Sequence, residues 1–422
     1  MRAAAIQAGR GPRWRVGHQV DLLEGGRAFF PSLWEAVARA EHDIWLCSYI
    51  LADDASARVI LDALKQAASR GVRVHLLLDG FGSHQALEAS QDALKQAGIR
   101  LAVFRPHRGW WQMASWQHLR RLHSKMAVID GRWGFVGGIN LIDDCHDQHH
   151  GTLPEPRLDY AVRLQGPVVM DIQRVLRRLW TRASANQAWK EDAAGWLQGA
   201  GEDALSQARA KWQAMRDGRP WRLDIRALSL LSGQGPAVAL VTRDNLFERR
   251  AIEWAYLGAL ESAVERVDLV TPYFYPGRRL AAALVKASRR GVRIRLLTQG
   301  QWDYRLARWA AQQWYGRLMR EGIEVYEYTA AFLHGKVAAV DGRWATVGSS
   351  NIDPLSLQLN LEANVVVWDA EFAQQLHDRI EGQIGRATLV RHAPVRGLWR
   401  RLQVAVVAMA AKLYLRLARH RR

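Results

Sequence analysis

The sequence predicts a duplicated α/β fold: two pseudo-symmetric lobes, each a mixed, mostly parallel sheet flanked by helices, with one site where the lobes meet. Three observations lead there. The chain repeats itself, each repeat alternates helix with strand, and a four-residue polar pattern recurs once per repeat at fixed spacing.

The repeat is plainest in residues 61–80, LDALKQAASRGVRVHLLLDG, and 280–300, LAAALVKASRRGVRIRLLTQG. In both, an amphipathic helix stops at an Arg-Gly break and a buried strand follows. Apolar strands begin upstream at Asp43 (DIWLCSYIL) and Arg266 (RVDLVTPYFYP), each after a helical segment rich in Glu and Ala. Downstream, KQAGIRLAVF and REGIEVYEY again give helix end, glycine and strand. Such alternation implies βαβ crossovers and a sheet covered by helices on both faces. One lobe is expected over 1–184 and the other over 236–386. Residues 185–235, mixed in charge and without a strand pattern, are expected to be a helical connector.

Within the first lobe, residues 117–144 contain His123, Lys125, Asp130 and Asn140; within the second, residues 328–355 contain His334, Lys336, Asp341 and Asn351. The spacings agree throughout, and the copies lie 211 residues apart. Side chains two apart on a strand share a face, so each His and Lys project together. The Asp130-Gly131 and Asp341-Gly342 pairs predict tight hairpin turns, which return each chain and bring the Asn back towards its His and Lys. Small residues, Gly137-Gly138 and Gly348-Ser349, leave room for a ligand or a backbone to approach.

The doubled H-x-K-x(4)-D-x(6)-G-[GS]-x-N pattern resembles the phospholipase D superfamily. Through GSSNIDPLSLQLNLEANV, TPYFYPG, VTRDN and LDYAVRLQGP it is most similar to bacterial cardiolipin synthases, B branch. The resemblance implies one active site formed by both phospholipase D-like lobes, no metal or other cofactor, and a phosphohistidine intermediate. It implies transfer of a phosphatidyl group between two phosphatidylglycerols, giving cardiolipin and glycerol, with free glycerol as another acceptor.

Phosphodiester chemistry needs a nucleophile, a proton for a poor alkoxide leaving group, and charge neutralisation at phosphorus. Two imidazoles divide the first two tasks. By analogy with two-motif relatives His123 is assigned as nucleophile and His334 as general acid/base. Lys125, Lys336, Asn140 and Asn351 are expected on the phosphoryl oxygens. Each imidazole needs an orienting acceptor. Glu362 matches the family's position for one, and Asp159 is the first-half candidate, at longer spacing and with a shorter side chain. The resemblance counts Asp130 and Asp341 with the catalytic set, whereas their place at turns predicts that they hold hairpins.

Composition bears on the partner. The chain has 422 residues, 49% of them hydrophobic, enough for more than one core. A formal charge of +18 predicts an anionic partner, nucleic acid or an acidic membrane. Two cysteines, Cys47 and Cys145, argue against a disulfide framework. No signal-peptide h-region opens the chain, and no window supplies the roughly 20 apolar residues of a spanning helix. A segment over 387–422 is expected as a basic amphipathic tail: no acidic residue follows Glu381, and Lys and Arg flank VAVVAMAA. Nineteen tryptophans, several beside arginines as in residues 105–121, suit headgroup contact or base stacking, though most are expected in the core.

These features make the leading expectation a peripheral enzyme on the cytoplasmic face of the inner membrane, with phosphatidylglycerol and the anionic surface as partners. A phosphodiesterase of the same superfamily that cuts nucleic acid or hydrolyses phospholipid, and a catalytically inactive membrane-binding protein, remain as alternatives, with nucleic acid ranked behind lipid. Oligomeric state is left open. Residues 143–150, DDCHDQHH, hold carboxylates, a thiol and three imidazoles but no second ligand pair at zinc spacing. A polar loop at the cleft mouth is expected there, near the acceptor headgroup.

Overall fold

The computed structural model describes residues 5–6, 12–106, 120–148, 150–188, 228, 235–244, 248–301 and 305–391. Most of the expected connector, the aromatic-basic stretch at 107–119 and the tail beyond residue 391 lie outside the described residues. Among the described residues no helix is long and apolar enough to cross a membrane.

The first half runs β1 (Ala5–Ile6), β2 (Trp14–Arg15), β3 (Gln19–Glu24), α1 (Gly25–Ala38), β4 (Asp43–Ser48), α2 (Ala55–Ser69), β5 (Arg73–Asp79), α3 (His84–Gln96) and β6 (Arg100–Phe104). It continues through β7 (Lys125–Ile129), β8 (Trp133–Gly137), β9 (His146–Asp147), β10 (Gly151–Thr152), β11 (Tyr160–Gln165) and α4 (Val168–Ala188). The second half comprises β12 (Ala237–Arg243), α5 (Ala251–Ser262), β13 (Arg266–Val270), α6 (Arg278–Arg289), β14 (Arg293–Gln299), α7 (Arg305–Arg320) and β15 (Glu324–Tyr328). After these come β16 (Val337–Val340), β17 (Trp344–Gly348), α8 (Pro354–Gln358), β18 (Glu362–Trp368), α9 (Ala370–Ile384) and β19 (Ala387–Leu389).

Local chemistry explains the repeated unit. The Asp54 carboxylate caps α2 by accepting from the Ala57 N–H at 2.9 Å. Ala57, Ile60, Leu61, Leu64 and Ala67 then bury one helical face. The helix ends at Arg70-Gly71, where φ of +90° favours glycine, and β5 starts two residues later. The α6 helix repeats this device, ending at Arg290-Gly291 with φ of +91° before β14.

Two mixed sheets result, one in the order β3-β11-β8-β7-β4-β5-β6 and a larger one in the order β1-β2-β12-β18-β17-β16-β13-β14-β15-β19. The expectation of mostly parallel sheets needs correction. Among the described strands, parallel pairing is confined to β4-β5-β6 and β13-β14-β15, and every other strand-to-strand pairing is antiparallel. The βαβ pattern describes only those three-strand blocks. Asp-Gly hairpins add β7-β8 and β16-β17, since a two-residue turn can join only antiparallel strands, and the remaining strands pair antiparallel through longer connections.

The extreme N-terminus does not stay with its own half. Arg15 of β2 pairs with Val238 of β12, and Trp14 and Val16 are buried in the second half's core. Strand β12 would otherwise present an unpaired edge. His18 fastens the crossing: its Nε2 accepts from the Val168 N–H at 3.0 Å and its Nδ1 donates to the Pro236 carbonyl at 3.2 Å. At the other end, β19 pairs with β15, so Ala387–Leu389, inside the span expected as tail, is an edge strand.

Helices α4 and α9 follow the last large strand of each half. A single hydrophobic cluster joins Val162, Ile172 and Leu176 with Val365, Leu376 and Ile380. At about 1.5–3 kcal/mol for each buried aliphatic side chain, that shared core holds the two halves in fixed register.

Asp130 and Asp341 stand at the far ends of their strands from the histidines. Both adopt φ near +50°, a region that Asp tolerates better than most residues. The Asp130 carboxylate accepts from the N–H groups of Glu41, His42 and Asp43 at 2.8, 2.8 and 2.9 Å. Asp341 does the same for Val264, Glu265 and Arg266 at 2.8, 2.9 and 2.8 Å. Their placement in the catalytic set is therefore corrected: each staples the loop that starts β4 or β13. Asp341→Ala should lose about 2–4 kcal/mol of stability, since three backbone donors lose a charged acceptor. A urea titration should show the lower midpoint, and turnover per folded molecule should fall far less than in a histidine variant.

Candidate active site

Short bridges between the halves position the two histidines. Leu122 pairs with Leu361 and Leu333 with Leu158. The His123 N–H donates to the Leu361 carbonyl at 3.0 Å, and the Leu361 N–H donates back to Arg121 at 2.9 Å. The His334 N–H donates to the Leu158 carbonyl at 2.8 Å, and the Leu158 N–H donates to Phe332 at 2.8 Å. Leu361 and Leu158 immediately precede Glu362 and Asp159. Each histidine is thus tied to the segment that carries the opposite half's carboxylate.

The side chains cross accordingly. His123 Nδ1 lies 3.0 Å from Glu362 Oε2, and His334 Nδ1 lies 2.6 Å from Asp159 Oδ2. An ionised carboxylate only accepts, so Nδ1 carries the hydrogen and Nε2 is left for the cleft. Asp159 and Glu362 are each 2% exposed. Burial works to raise both, but Lys336 and His334 hold Asp159 below the usual carboxylate range. His123, Lys125 and the Ser349 hydroxyl, which donates at 2.5 Å, do the same for Glu362.

Space for the shorter carboxylate comes from Gly138. A Cβ there would stand 2.2 Å from Asp159 Oδ1, whereas the matching position in the second half holds Ser349, which donates to Glu362. Burial pushes both imidazoles towards the neutral form, each carboxylate opposing this and the adjacent lysine adding to it. Burial also pushes Lys125 down to about 8 and Lys336 to about 7. Each ammonium donates to the carbonyl of its own histidine, Lys125 at 2.7 Å. An anionic phosphate in the cleft would favour the charged lysines.

His123, His334, Asn140 and Asn351 line one cleft of about 500 Å³. Asn140 Oδ1 accepts from the Ile50 N–H at 3.1 Å, which turns its amide nitrogen away from that bond. Asn351 Oδ1 is buried without a hydrogen-bond partner among the described residues. Phe81, Ile142, Tyr273 and Phe332 supply an apolar wall. The structure brings together the two His, the two Lys, the two Asn, Asp159 and Glu362, and leaves Asp130 and Asp341 outside.

Among the described residues no group of three or more His, Cys, Asp or Glu gathers as metal ligands. Carboxylates of the 143–150 loop are taken up by protein donors: Asp143 accepts from the Ser56 hydroxyl of α2 and the Cys145 N–H, and Asp147 pairs with Arg157. Asp147 and Gln148 reach the cleft.

Sequence reasoning missed Tyr49. Its ring lies 5.1 Å from the His123 ring and 5.4 Å from Lys125 Nζ, packing against both. The matching strand-end position in the second half is Pro272, a mismatch visible once the repeats are aligned.

Known proteins resemble the chain over most of its length. The family model described as cardiolipin synthase, PLD-like domain, matches residues 33–153 and 256–384. A curated relative, cardiolipin synthase B of Salmonella typhimurium, is 39% identical over 373 residues, covering 88% of this chain and 81% of that one. Cardiolipin synthase A of Pseudomonas fluorescens is more distant, 30% identical over 374 residues, with coverage of 88% and 70%. A crystal structure of a phosphatidylserine synthase from Haemophilus influenzae superposes with a TM-score of 0.60 over 94% of both chains at 13% identity, a likeness of fold. Both halves of the doubled motif fall within the matched segments, and the chain belongs to the cardiolipin synthase family built on phospholipase D-like domains.

Proposed function

We propose that this protein synthesises cardiolipin by transferring a phosphatidyl group from one phosphatidylglycerol to a terminal hydroxyl of another, releasing glycerol. The observation that carries the reading is the pair of crossed histidine–carboxylate contacts in one cleft, in a chain of this family.

In the first step His123 Nε2 attacks phosphorus. A nitrogen–phosphorus bond forms, the bond to glycerol breaks, and His334 gives its proton to the departing oxygen. In the second step the acceptor hydroxyl gives its proton to His334, its oxygen bonds to phosphorus, and the bond to His123 breaks. Glu362 and Asp159 hold the rings and stabilise each imidazolium as it forms. Lys125, Lys336 and the two Asn amides meet the charge that builds on the phosphoryl oxygens. The net charge of +18 and the absence of a spanning helix among the described residues support peripheral association with an anionic membrane.

The test is incubation of the full chain with phosphatidylglycerol vesicles and, separately, with single-stranded DNA, in excess chelator. Cardiolipin and glycerol should appear in equal amounts. DNA cleavage without lipid turnover would sink the reading.

A further inference from the structure

This inference rests on the transferase reading and concerns how the acceptor is held. The two halves supply symmetric chemistry, yet the incoming lipid brings a phosphodiester of its own beside the one already on the imidazole. Desolvating a second anion needs a directed cationic donor.

The pseudo-twofold relation breaks in the cleft wall. Asp159 follows Asn140 by nineteen positions, whereas Glu362 follows Asn351 by eleven. The extra length forms the loop with the β9–β10 hairpin, and Arg157 closes it. Leu158 and Leu361 are pseudo-symmetric mates, each bridging to the residue ahead of the opposite histidine. The mate of Arg157 is therefore Asn360, which is uncharged. The guanidinium groups on the His123 side are turned elsewhere: Arg243 donates to the Asn360 and Gln358 carbonyls and Arg121 lies over the Phe81 ring near Asp79, so among the described residues Arg157 is the arginine that lines the cleft.

Arg157 is held in advance of any ligand. Its side chain is 12% exposed, and Nη2 donates to the His146 carbonyl and to Asp147 Oδ2, both at 3.0 Å. Its Nε and Nη1 make no hydrogen bond to a described residue, and the side chain lines the cleft with His334 and Gln148. The next residue, Leu158, accepts from the His334 and Gly335 N–H groups at 2.8 and 2.9 Å, which fixes Arg157 beside that histidine. Asp147 offsets its long-range charge, so what it offers is directed donors at short range.

We propose that Arg157 binds the phosphodiester of the acceptor lipid and so selects a phospholipid over a neutral alcohol as acceptor. The acceptor hydroxyl then lies on the His334 side, where its proton goes.

Full-length wild type, Arg157→Gln and Arg157→Lys are compared on phosphatidylglycerol vesicles supplied with labelled free glycerol. Cardiolipin reports the charged acceptor, and label entering phosphatidylglycerol reports the neutral one. In Arg157→Gln the ratio of the first product to the second should fall about 10- to 100-fold, with Arg157→Lys in between. An unchanged ratio, or equal loss of both products in both variants, overturns the proposal. Wild type that makes no cardiolipin would overturn the transferase reading itself, and this inference with it.

Discussion

Alanine at His123 or at His334 is expected to lower phosphatidyl transfer by about 10⁴-fold or more, and the double variant to lose little beyond either single one. The non-additivity follows from the geometry. Each imidazole acts on the same phosphorus from opposite halves, so a cleft with one histidine has a nucleophile without an acid or an acid without a nucleophile. The two variants should differ in what rescues them. A phosphatidyl ester of an acidic phenol leaves without a proton, so with His123 as nucleophile it should restore much of the first step in His334→Ala and none in His123→Ala. Rescue of His123→Ala instead would exchange the roles. Each variant also leaves a buried carboxylate without its partner, Glu362 or Asp159. Thermal unfolding should therefore accompany each assay, to separate lost chemistry from lost fold.

The chemistry-bearing residues are legible in the sequence because their spacing is local. Asp-Gly turns back on itself, so β7-β8 and β16-β17 follow from a few residues each, although the expected strand face for H-x-K is corrected: His123 precedes β7, and His334 and Lys336 both precede β16. Long-range pairing is a different matter. His123 and Glu362 are 239 positions apart, and their contact depends on the Leu122–Leu361 bridge, which no periodicity announces. The N-terminal crossing rests on Trp14, Arg15 and Val16, too few residues for a strand pattern to register. The sheets turned out mainly antiparallel for a similar reason: helix-strand alternation is a strong signal and marks only three strands per half. The longer spacer before Asp159 is visible in the sequence as a weakened match to the family. In the structure it is the loop that carries Arg157 into the cleft wall.

The crossed carboxylates are expected to separate the two histidines by pH. Glu362→Gln and Asp159→Asn should each cost about 10²- to 10³-fold in rate, since each removes the anion that orients and stabilises one imidazolium. Loss of fold would depress the rate at every pH, whereas loss of the carboxylate also moves a titration. Burial lowers the proton affinity of His123 and Glu362 opposes this; Asp159 likewise opposes the lowering at His334. Removing either carboxylate therefore lowers its histidine's pKa further. A nucleophile must be neutral, so its pKa sets the limb on which the rate falls with acid, and Glu362→Gln should move that limb to lower pH. A general acid must be protonated, so its pKa sets the limb on which the rate falls with base, and Asp159→Asn should move that limb, also to lower pH. The measurement is glycerol release in the first half-reaction across pH. Limbs moving in the opposite assignment would make His334 the nucleophile, and parallel loss with no movement would reduce both carboxylates to structural supports.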